Sequence, residues 1–250
     1  MIRVEKIQIP ELPTNKPRRL YIYLPRDYGK SEQRYPVLYM FDGHNVFYDS
    51  HAAYGKSWGM KEYLTRTKLP LILAAIECNT EGDRRMHEYS PWEEDLPWFG
   101  HLEGLGSVTM DWITGPLKES IDRTYLTLPD RENTLIAGSS MGGLMALYAV
   151  TAYNHVFSRA AALSPYTRGG GKRLHTLFTE TQLQSPTRIY MDTGECEDSP
   201  DDPDYPAEMF VFAAELTRSG ALVSAHVVPG AVHDEAAWEK RIPEFMDFLL

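Results

Sequence analysis

The chain has few cysteines and no long apolar run, and both absences narrow the class of protein. Two cysteines among 250 residues, Cys78 and Cys196, are too few for a disulfide framework. No apolar run approaches the roughly 20 residues that a membrane span needs, and the first residues contain no signal-peptide core. We therefore expect a cytoplasmic protein with no membrane partner.

Positive charge is also scarce. Lys and Arg total 25 against 35 Asp and Glu, which gives a formal net charge of −10 at pH 7. Nucleic acids and anionic membranes bind clustered Lys and Arg, so neither kind of partner is expected. No linker rich in Pro, Gly or Ser interrupts the chain, so one α/β domain over residues 1–250 is expected, with two domains as the alternative. The oligomeric state stays open.

The hydrophobic pattern predicts a mostly parallel sheet. Alternation at 2–9 and 19–24 predicts two antiparallel strands. Short continuous apolar runs, such as 37–41, 71–76 and 189–192, are typical of strands that are covered on both faces. Helical patterns lie between these runs, which favours parallel strands with right-handed crossovers. Residues 86–106 have no period and contain two prolines, so they are expected to form a long ordered loop.

Residues 134–143 read T-L-I-A-G-S-S-M-G-G, and a long apolar segment follows. A strand, a sharp turn and a helix in this order form the nucleophile elbow of the G-x-S-x-G motif. The turn strains the serine backbone, so the positions two before and two after it must be nearly free of side chain. Glycines occupy both positions around Ser140, whereas Ser139 has Ala137 and Met141. Ser140 is the predicted nucleophile, and a plain Gly/Ser turn is the alternative.

A serine triad on this kind of sheet needs an acid and then a histidine, each after its own strand. His233 is the only histidine after the last predicted strand, and an ordinary helix-starting residue is the alternative. Two acids compete. Asp192 belongs to a strand pattern, whereas Glu197 lies past Gly194 on the loop that follows, and position alone favours Glu197 only slightly.

An oxyanion hole needs two backbone N–H donors, one of them from the residue after the nucleophile. That residue is Met141, at a predicted helix N-terminus where N–H groups lack intrahelical partners. The loop after 37–41 reads D-G-H-N, and Gly43 permits a tight turn there. His44 is therefore the predicted second donor, with a plain D-G turn as the alternative.

Together these residues resemble the putative esterase (esterase D-like) family of α/β-hydrolases, which includes feruloyl and enterochelin esterases and the antigen 85 mycolyltransferases. The resemblance covers nearly the whole chain. Its motifs are Y-M-F-D-G-H-N-V-F at 39–47, E-Y-S-P-W at 88–92, 127–134 leading to 138–143, G-E-C-E at 194–197, and His233 followed by Trp238 and the ending 243–249. Two departures are His44, where the family commonly has Gln, and Ala231-Val232, where it often has a small pair with Gly.

The resemblance implies an α/β-hydrolase fold, with a mostly parallel eight-stranded sheet and helices on both faces. Its Gly-x-x-acid pattern raises Glu197 over Asp192. The implied activity is that of a serine carboxylic-ester hydrolase that uses Ser140, Glu197 and His233 on a small-molecule ester, without a metal or an organic cofactor. A siderophore esterase, an acyltransferase with the same triad and a non-catalytic binding protein on this scaffold are the alternatives.

Three aromatic residues are candidates for contact with the substrate. Trp98 and Phe99 lie in the 86–106 segment and have no period that ties them to a core face, and Tyr166 follows the strand after the elbow. Rings at a site entrance would favour aryl-containing esters over small acetate esters, since each ring offers a large apolar face. The alternative is that these rings only pack the loop onto the domain.

Overall fold

The computed structural model describes residues 1–13, 16–97, 99–168, 170–197 and 205–250. Its strands are β1 (Ile2–Ile7), β2 (Arg18–Tyr23), β3 (Val37–Met40), β4 (Ile72–Ile76), β5 (Glu94–Leu96), β6 (Gly100–Leu102), β7 (Thr134–Ser139), β8 (Arg159–Leu163), β9 (Arg188–Gly194) and β10 (Leu222–Val228). Eight of them form one sheet in the order β1-β2-β4-β3-β7-β8-β9-β10, and β5 pairs with β6 separately. Within the large sheet β2 is antiparallel to β1 and to β4, and the other pairs are parallel. The predicted mostly parallel eight-stranded sheet is confirmed.

Helices cover both faces of this sheet. They are α1 (Met60–Thr67), α2 (Arg84–Glu88), α3 (Gly106–Trp112), α4 (Lys118–Thr124), α5 (Met141–Ala152), α6 (Gly171–Glu180), α7 (Tyr205–Arg218) and α8 (Glu235–Leu249). Alternate residues of a strand point to opposite faces. In β3, Tyr39 belongs to a buried cluster with residues of α3 to α7, whereas Leu38 belongs to a second cluster with residues of α1 and α8. No helix in the described part of the chain is long and apolar enough to span a membrane.

The segment 86–106 differs from the expected loop. It contains the end of α2 and the hairpin of β5 and β6, with Gly100 at φ 96° at the start of β6. Strands of three residues are too short to show an alternating pattern, which is why hydrophobic periodicity did not predict them.

Two prolines in helical segments behave differently. Between α3 and α4 a π-helical turn at Ile113–Leu117 contains Pro116. Pro243 lies inside α8, which runs through it without a break. Its loss of one helical hydrogen bond is offset by packing, because Phe245 and Leu249 beyond it are fully buried.

Candidate active site

The predicted triad residues and the predicted oxyanion donor His44 gather at one edge of the sheet. Ser140 follows β7, Glu197 lies beyond β9, His233 lies beyond β10, and His44 lies beyond β3. These four strands all run parallel within the sheet. Their carboxyl ends therefore lie along the same edge, where open α/β sheets bind ligands.

Ser140 occupies a strained turn between β7 and α5. Its backbone has φ 56° and ψ −124°, outside the regions that residues with a side chain normally adopt. A Cβ added to Gly138 would lie 2.4 Å from the carbonyl oxygen of Gly142, which is backbone and cannot move aside easily. The glycine on the strand side is therefore required by close approach, as the G-x-S-x-G pattern indicates. Ser139, in contrast, is the buried last residue of β7.

His233 contacts Glu197. The His233 Nδ1 and Glu197 Oε2 atoms lie 3.0 Å apart, and the histidine side chain is 45% exposed whereas the glutamate is 2% exposed. The other carboxylate oxygen, Oε1, accepts hydrogen bonds from the Gly194 N–H at 2.7 Å and the Ser164 hydroxyl at 2.6 Å. Arg241 Nη2 donates to the same oxygen at 3.2 Å. These donors fix the carboxylate and leave Oε2 directed to the imidazole.

Charge and hydrogen bonds keep Glu197 ionised. Burial alone would raise the pKa of this carboxyl, but the hydrogen bonds from His233 and Ser164 and the positive charge that His233 can carry hold that pKa below its ordinary value. An ionised carboxylate next to Nδ1 stabilises a protonated imidazole.

Asp192, the competing acid, is fully buried and makes a different set of contacts. Its Oδ1 accepts from Arg241 Nη1 at 2.8 Å and from the Ser164 N–H at 3.3 Å, and its Oδ2 accepts from the Tyr190 hydroxyl at 2.9 Å. Burial raises the pKa of Asp192 to about 6. His233 therefore contacts Glu197, whereas Asp192 is paired with Arg241.

Ser140 and His233 line the same cavity, which has a volume of about 380 Å³. His44 lines it as well, and Trp238 packs edge-on against His233 with ring centroids 5.0 Å apart. Its other polar or aromatic lining residues include Asp42, Asn45, Tyr54, Arg85, Asp234 and Glu235. A larger cavity of about 550 Å³, between the β5–β6 hairpin and α6, is not lined by any serine in the described part of the chain.

The two predicted oxyanion donors both begin helical turns. His44 lies in a 3-10 turn, Gly43–Asn45, and Met141 is the first residue of α5. N–H groups at these positions have no partner within their own turn, so they are available to a ligand. A Cβ on Gly43 would lie 2.6 Å from the backbone of Ala75, so only glycine allows this loop to approach β4 so closely.

A partly buried ion pair lies beside the His44 turn. Arg85 Nε and Nη2 bind the two oxygens of Asp42, each at 2.7 Å. Although burial alone would raise it, Arg85 holds the pKa of Asp42 below its usual value. Asp42, His44 and Cys78 place potential metal-ligand atoms within 4.8 Å of one another. Burial keeps the pKa of the Cys78 thiol well above its ordinary value, and Arg85 already occupies the carboxylate, so this trio does not form a ready metal site.

The structure does not bring Phe99 or Tyr166, two of the three predicted aromatic residues, to this cavity. Trp98 lies outside the described residues. Phe99 packs its ring against His87, with centroids 5.8 Å apart, and Tyr166 donates its backbone N–H to the Ser140 carbonyl at 2.9 Å. Neither is among the described lining residues of the cavity, whereas Tyr54, which sequence reasoning missed, is.

The sequence profile of the putative esterase family matches residues 13–249, almost the entire chain. The chain belongs to the putative esterase family. Within this family context, the segments at 39–47 and 138–143 that suggested the resemblance carry the His44 turn and the strained serine.

Individual relatives of this esterase-family protein are distant. The uncharacterized protein YbbA of Bacillus subtilis (strain 168) is 25% identical over 150 residues, which cover 59% of this chain and 56% of YbbA. The match thus spans little more than half of that relative. An IroE-like serine hydrolase from Shewanella oneidensis superposes with a TM-score of 0.78 at 21% identity, over 100% of this chain and 79% of that one.

The enterobactin esterase FES from Shigella flexneri, solved in the presence of enterobactin, superposes with a TM-score of 0.74 at 18% identity. The superposition covers 99% of this chain and 59% of that one. At such identities the likeness establishes the fold, which is that of the α/β-hydrolases.

Proposed function

We propose that this protein is a serine carboxylic-ester hydrolase with Ser140, His233 and Glu197 as its catalytic triad. The observation that carries the proposal is the 3.0 Å contact between His233 Nδ1 and Glu197 Oε2, made beside the cavity that the strained Ser140 lines. Membership of the esterase family supports the same reaction.

The reaction follows from the roles of these groups. The Ser140 hydroxyl attacks the ester carbonyl carbon while His233 Nε2 takes its proton, and Glu197 holds the Nδ1–H and stabilises the imidazolium. The negative oxygen of the tetrahedral intermediate accepts hydrogen bonds from the His44 and Met141 N–H groups. The intermediate collapses to the acyl-enzyme as His233 returns the proton to the leaving alcohol. A water molecule, deprotonated by His233, then attacks the acyl group and releases the acid and Ser140.

Exposure of the site favours hydrolysis over acyl transfer. An acyltransferase must protect its acyl-enzyme from water. The His233 side chain is 45% exposed, so solvent can reach the base that would activate the second nucleophile. We therefore assign water as the acyl acceptor.

Size and charge favour a small or aryl-containing ester over a siderophore. A cavity of about 380 Å³ lies near the lower end of the range for drug-sized ligands. Its lining holds the carboxylates of Asp42, Asp234 and Glu235 but the guanidinium of Arg85 alone among the described lysines and arginines. A ferric tris-catecholate is anionic, and this lining would repel it.

A comparison of Ser140→Ala with Ser139→Ala tests the assignment. The kcat/KM for p-nitrophenyl butyrate should fall by roughly 10⁴-fold or more in Ser140→Ala, since the nucleophile is lost. Ser139→Ala should keep most of the activity, because Ser139 ends a strand and carries no proposed chemistry. Loss of activity in Ser139→Ala with a normal Ser140→Ala would show that the elbow is wrongly placed. A product ester that dominates when an alcohol is added would instead indicate an acyltransferase.

A further inference from the structure

The wall of the cavity beside His233 is negatively charged. Asp234 and Glu235 follow the histidine directly, and both line the cavity. Among the described residues, neither carboxylate has a Lys, Arg or His nitrogen within ion-pair distance. Glu235 is only 6% exposed, so this charge is largely withdrawn from the water that would screen it.

Arg85, the cation among the described residues that line the cavity, does not offset the charge of Asp234 and Glu235. Arg85 donates two hydrogen bonds of 2.7 Å to Asp42, so its charge is already paired. With the Asp42–Arg85 pair neutral, Asp234 and Glu235 leave the lining with an excess of negative charge. A positively charged ligand group would find attraction here, and an anionic one repulsion.

An aromatic ring lies at the same cavity. Tyr54 lines it although its side chain is 85% exposed, which is unusual for a large aromatic residue. Asn45 connects this ring's loop to the acidic wall, because its Oδ1 accepts from the Ala53 N–H and its Nδ2 donates to Glu235 Oε1, each at 2.9 Å. An aromatic face combined with carboxylates is the chemistry that proteins use to bind ammonium groups.

The position of the wall relative to the reaction indicates which part of the ester it contacts. His233 must protonate the leaving alcohol, so the alcohol part lies on the histidine side of the cavity. Asp234 and Glu235 follow His233 directly in the chain and line the same cavity. We propose that the enzyme prefers esters whose alcohol part carries a positive charge, an amino or quaternary ammonium alcohol, with Glu235 and Tyr54 as the residues that read the charge.

This inference rests on the proposed hydrolase function, and a pair of isosteric substrates tests it. Butyrylcholine and 3,3-dimethylbutyl butyrate have the same shape and acyl group, and differ in the charge of a quaternary centre. Release of butyric acid is measured by pH-stat at pH 8 and low ionic strength. We expect kcat/KM to favour butyrylcholine by about tenfold, equivalent to about 1.4 kcal/mol. The part of the preference that the exposed Asp234 contributes should shrink in 0.5 M NaCl, whereas the part that the buried Glu235 contributes is screened less.

Variants identify the residues responsible. Glu235→Gln and Tyr54→Leu should each lower the ratio of the two kcat/KM values, whereas Glu119→Gln, which makes the same charge change on the exposed side of α4, should leave the ratio at its wild-type value. Tyr54→Leu keeps the test open if Glu235→Gln does not fold, because an exposed side chain contributes little to stability.

The failures are distinguishable. Cleavage of p-nitrophenyl butyrate without a preference for butyrylcholine overturns the inference and leaves the proposed function standing. A Glu235→Gln ratio that matches that of Glu119→Gln also overturns it. No cleavage of any of the three esters overturns the proposed function and the inference with it.

Discussion

Replacing Glu197 by glutamine should set the imidazole in the wrong tautomer. Oε1 of Glu197 accepts from Gly194, Ser164 and Arg241. All three groups donate on this side. The Ser164 hydroxyl oxygen already accepts N–H bonds from Trp238 and Arg241, so its single proton is directed at Glu197. The glutamine oxygen must therefore take this side, and its NH₂ group must face His233.

The expected loss follows from that orientation. An NH₂ group that donates to His233 Nδ1 leaves the proton of neutral imidazole on Nε2. Nε2 then cannot accept the proton of Ser140. An acid-to-amide change that keeps the geometry but reverses the tautomer lowers kcat by about 10⁴-fold in a serine triad. This equals about 5.4 kcal/mol of transition-state stabilisation.

The assay is kcat for p-nitrophenyl butyrate, with thermal unfolding followed in parallel. Asp192→Asn is the matched control. It makes the same acid-to-amide change at a residue that is linked to Glu197 through Arg241. Its Oδ1 can keep the bonds from Arg241 and Ser164, and its NH₂ group can donate to the Tyr190 oxygen. We expect less than a tenfold loss of kcat in Asp192→Asn. A folded Glu197→Gln enzyme within tenfold of wild type, or an equal loss in both variants, would refute the reasoning.

Three further predictions concern stability and thiol chemistry. Gly138→Ala should lower the free energy of unfolding by about 1–3 kcal/mol and abolish activity, because its Cβ would lie 2.4 Å from backbone. Gly115→Ala is the control and should do neither, because a Cβ there meets open space. Melting curves and ester assays measure both effects. Burial raises the pKa of Asp192 to about 6, so as the pH falls the folded state binds this proton before the unfolded state does. Lowering the pH from 7 towards 4 should therefore stabilise wild type relative to Asp192→Asn, by at most about 1.4 kcal/mol per pH unit. A difference in melting temperature that stays constant with pH would contradict this. Thiol titration should find Cys196 reactive in the native protein and Cys78 only after unfolding, since the first is exposed and the second buried; two reactive thiols in the native state would contradict the burial.

The elbow could be predicted from the sequence because its requirement is local and steric. Only glycine fits at position 138, because a Cβ there would clash with the backbone of Gly142. Position 138 lies two residues before Ser140, whereas the residue two before Ser139 is Ala137. The edge of the sheet at which the site forms was also predictable, since parallel strands alternate with helices along the chain. The order of acid and histidine then left few candidates for the remaining roles.

The residues that hold Glu197 and shape the cavity could not be predicted, because they come from distant parts of the chain. Ser164 and Arg241 contact Glu197 from 33 and 44 residues away, and no local pattern marks either of them. Tyr54 lies within a turn and has no period, so its place at the cavity depends on the loop that Asn45 holds. Lack of periodicity pointed instead to aromatic residues in the segment at 86–106, where a hairpin directs Phe99 towards His87.

The two competing acids belong to one network, which explains why position alone could not separate them. Arg241 is 2% exposed and donates to Asp192 with Nη1 and to Glu197 with Nη2. A buried guanidinium needs nearby negative charge, and two carboxylates at the end of one strand supply it. Asp192 can bind Arg241 but is held away from His233 by its place within the strand, whereas Glu197 lies three residues past Gly194, where the chain turns back to the histidine. A role for Asp192 as a positioning residue for Arg241, and through it for Glu197, therefore accounts for both acids with a single hydrogen-bonded chain.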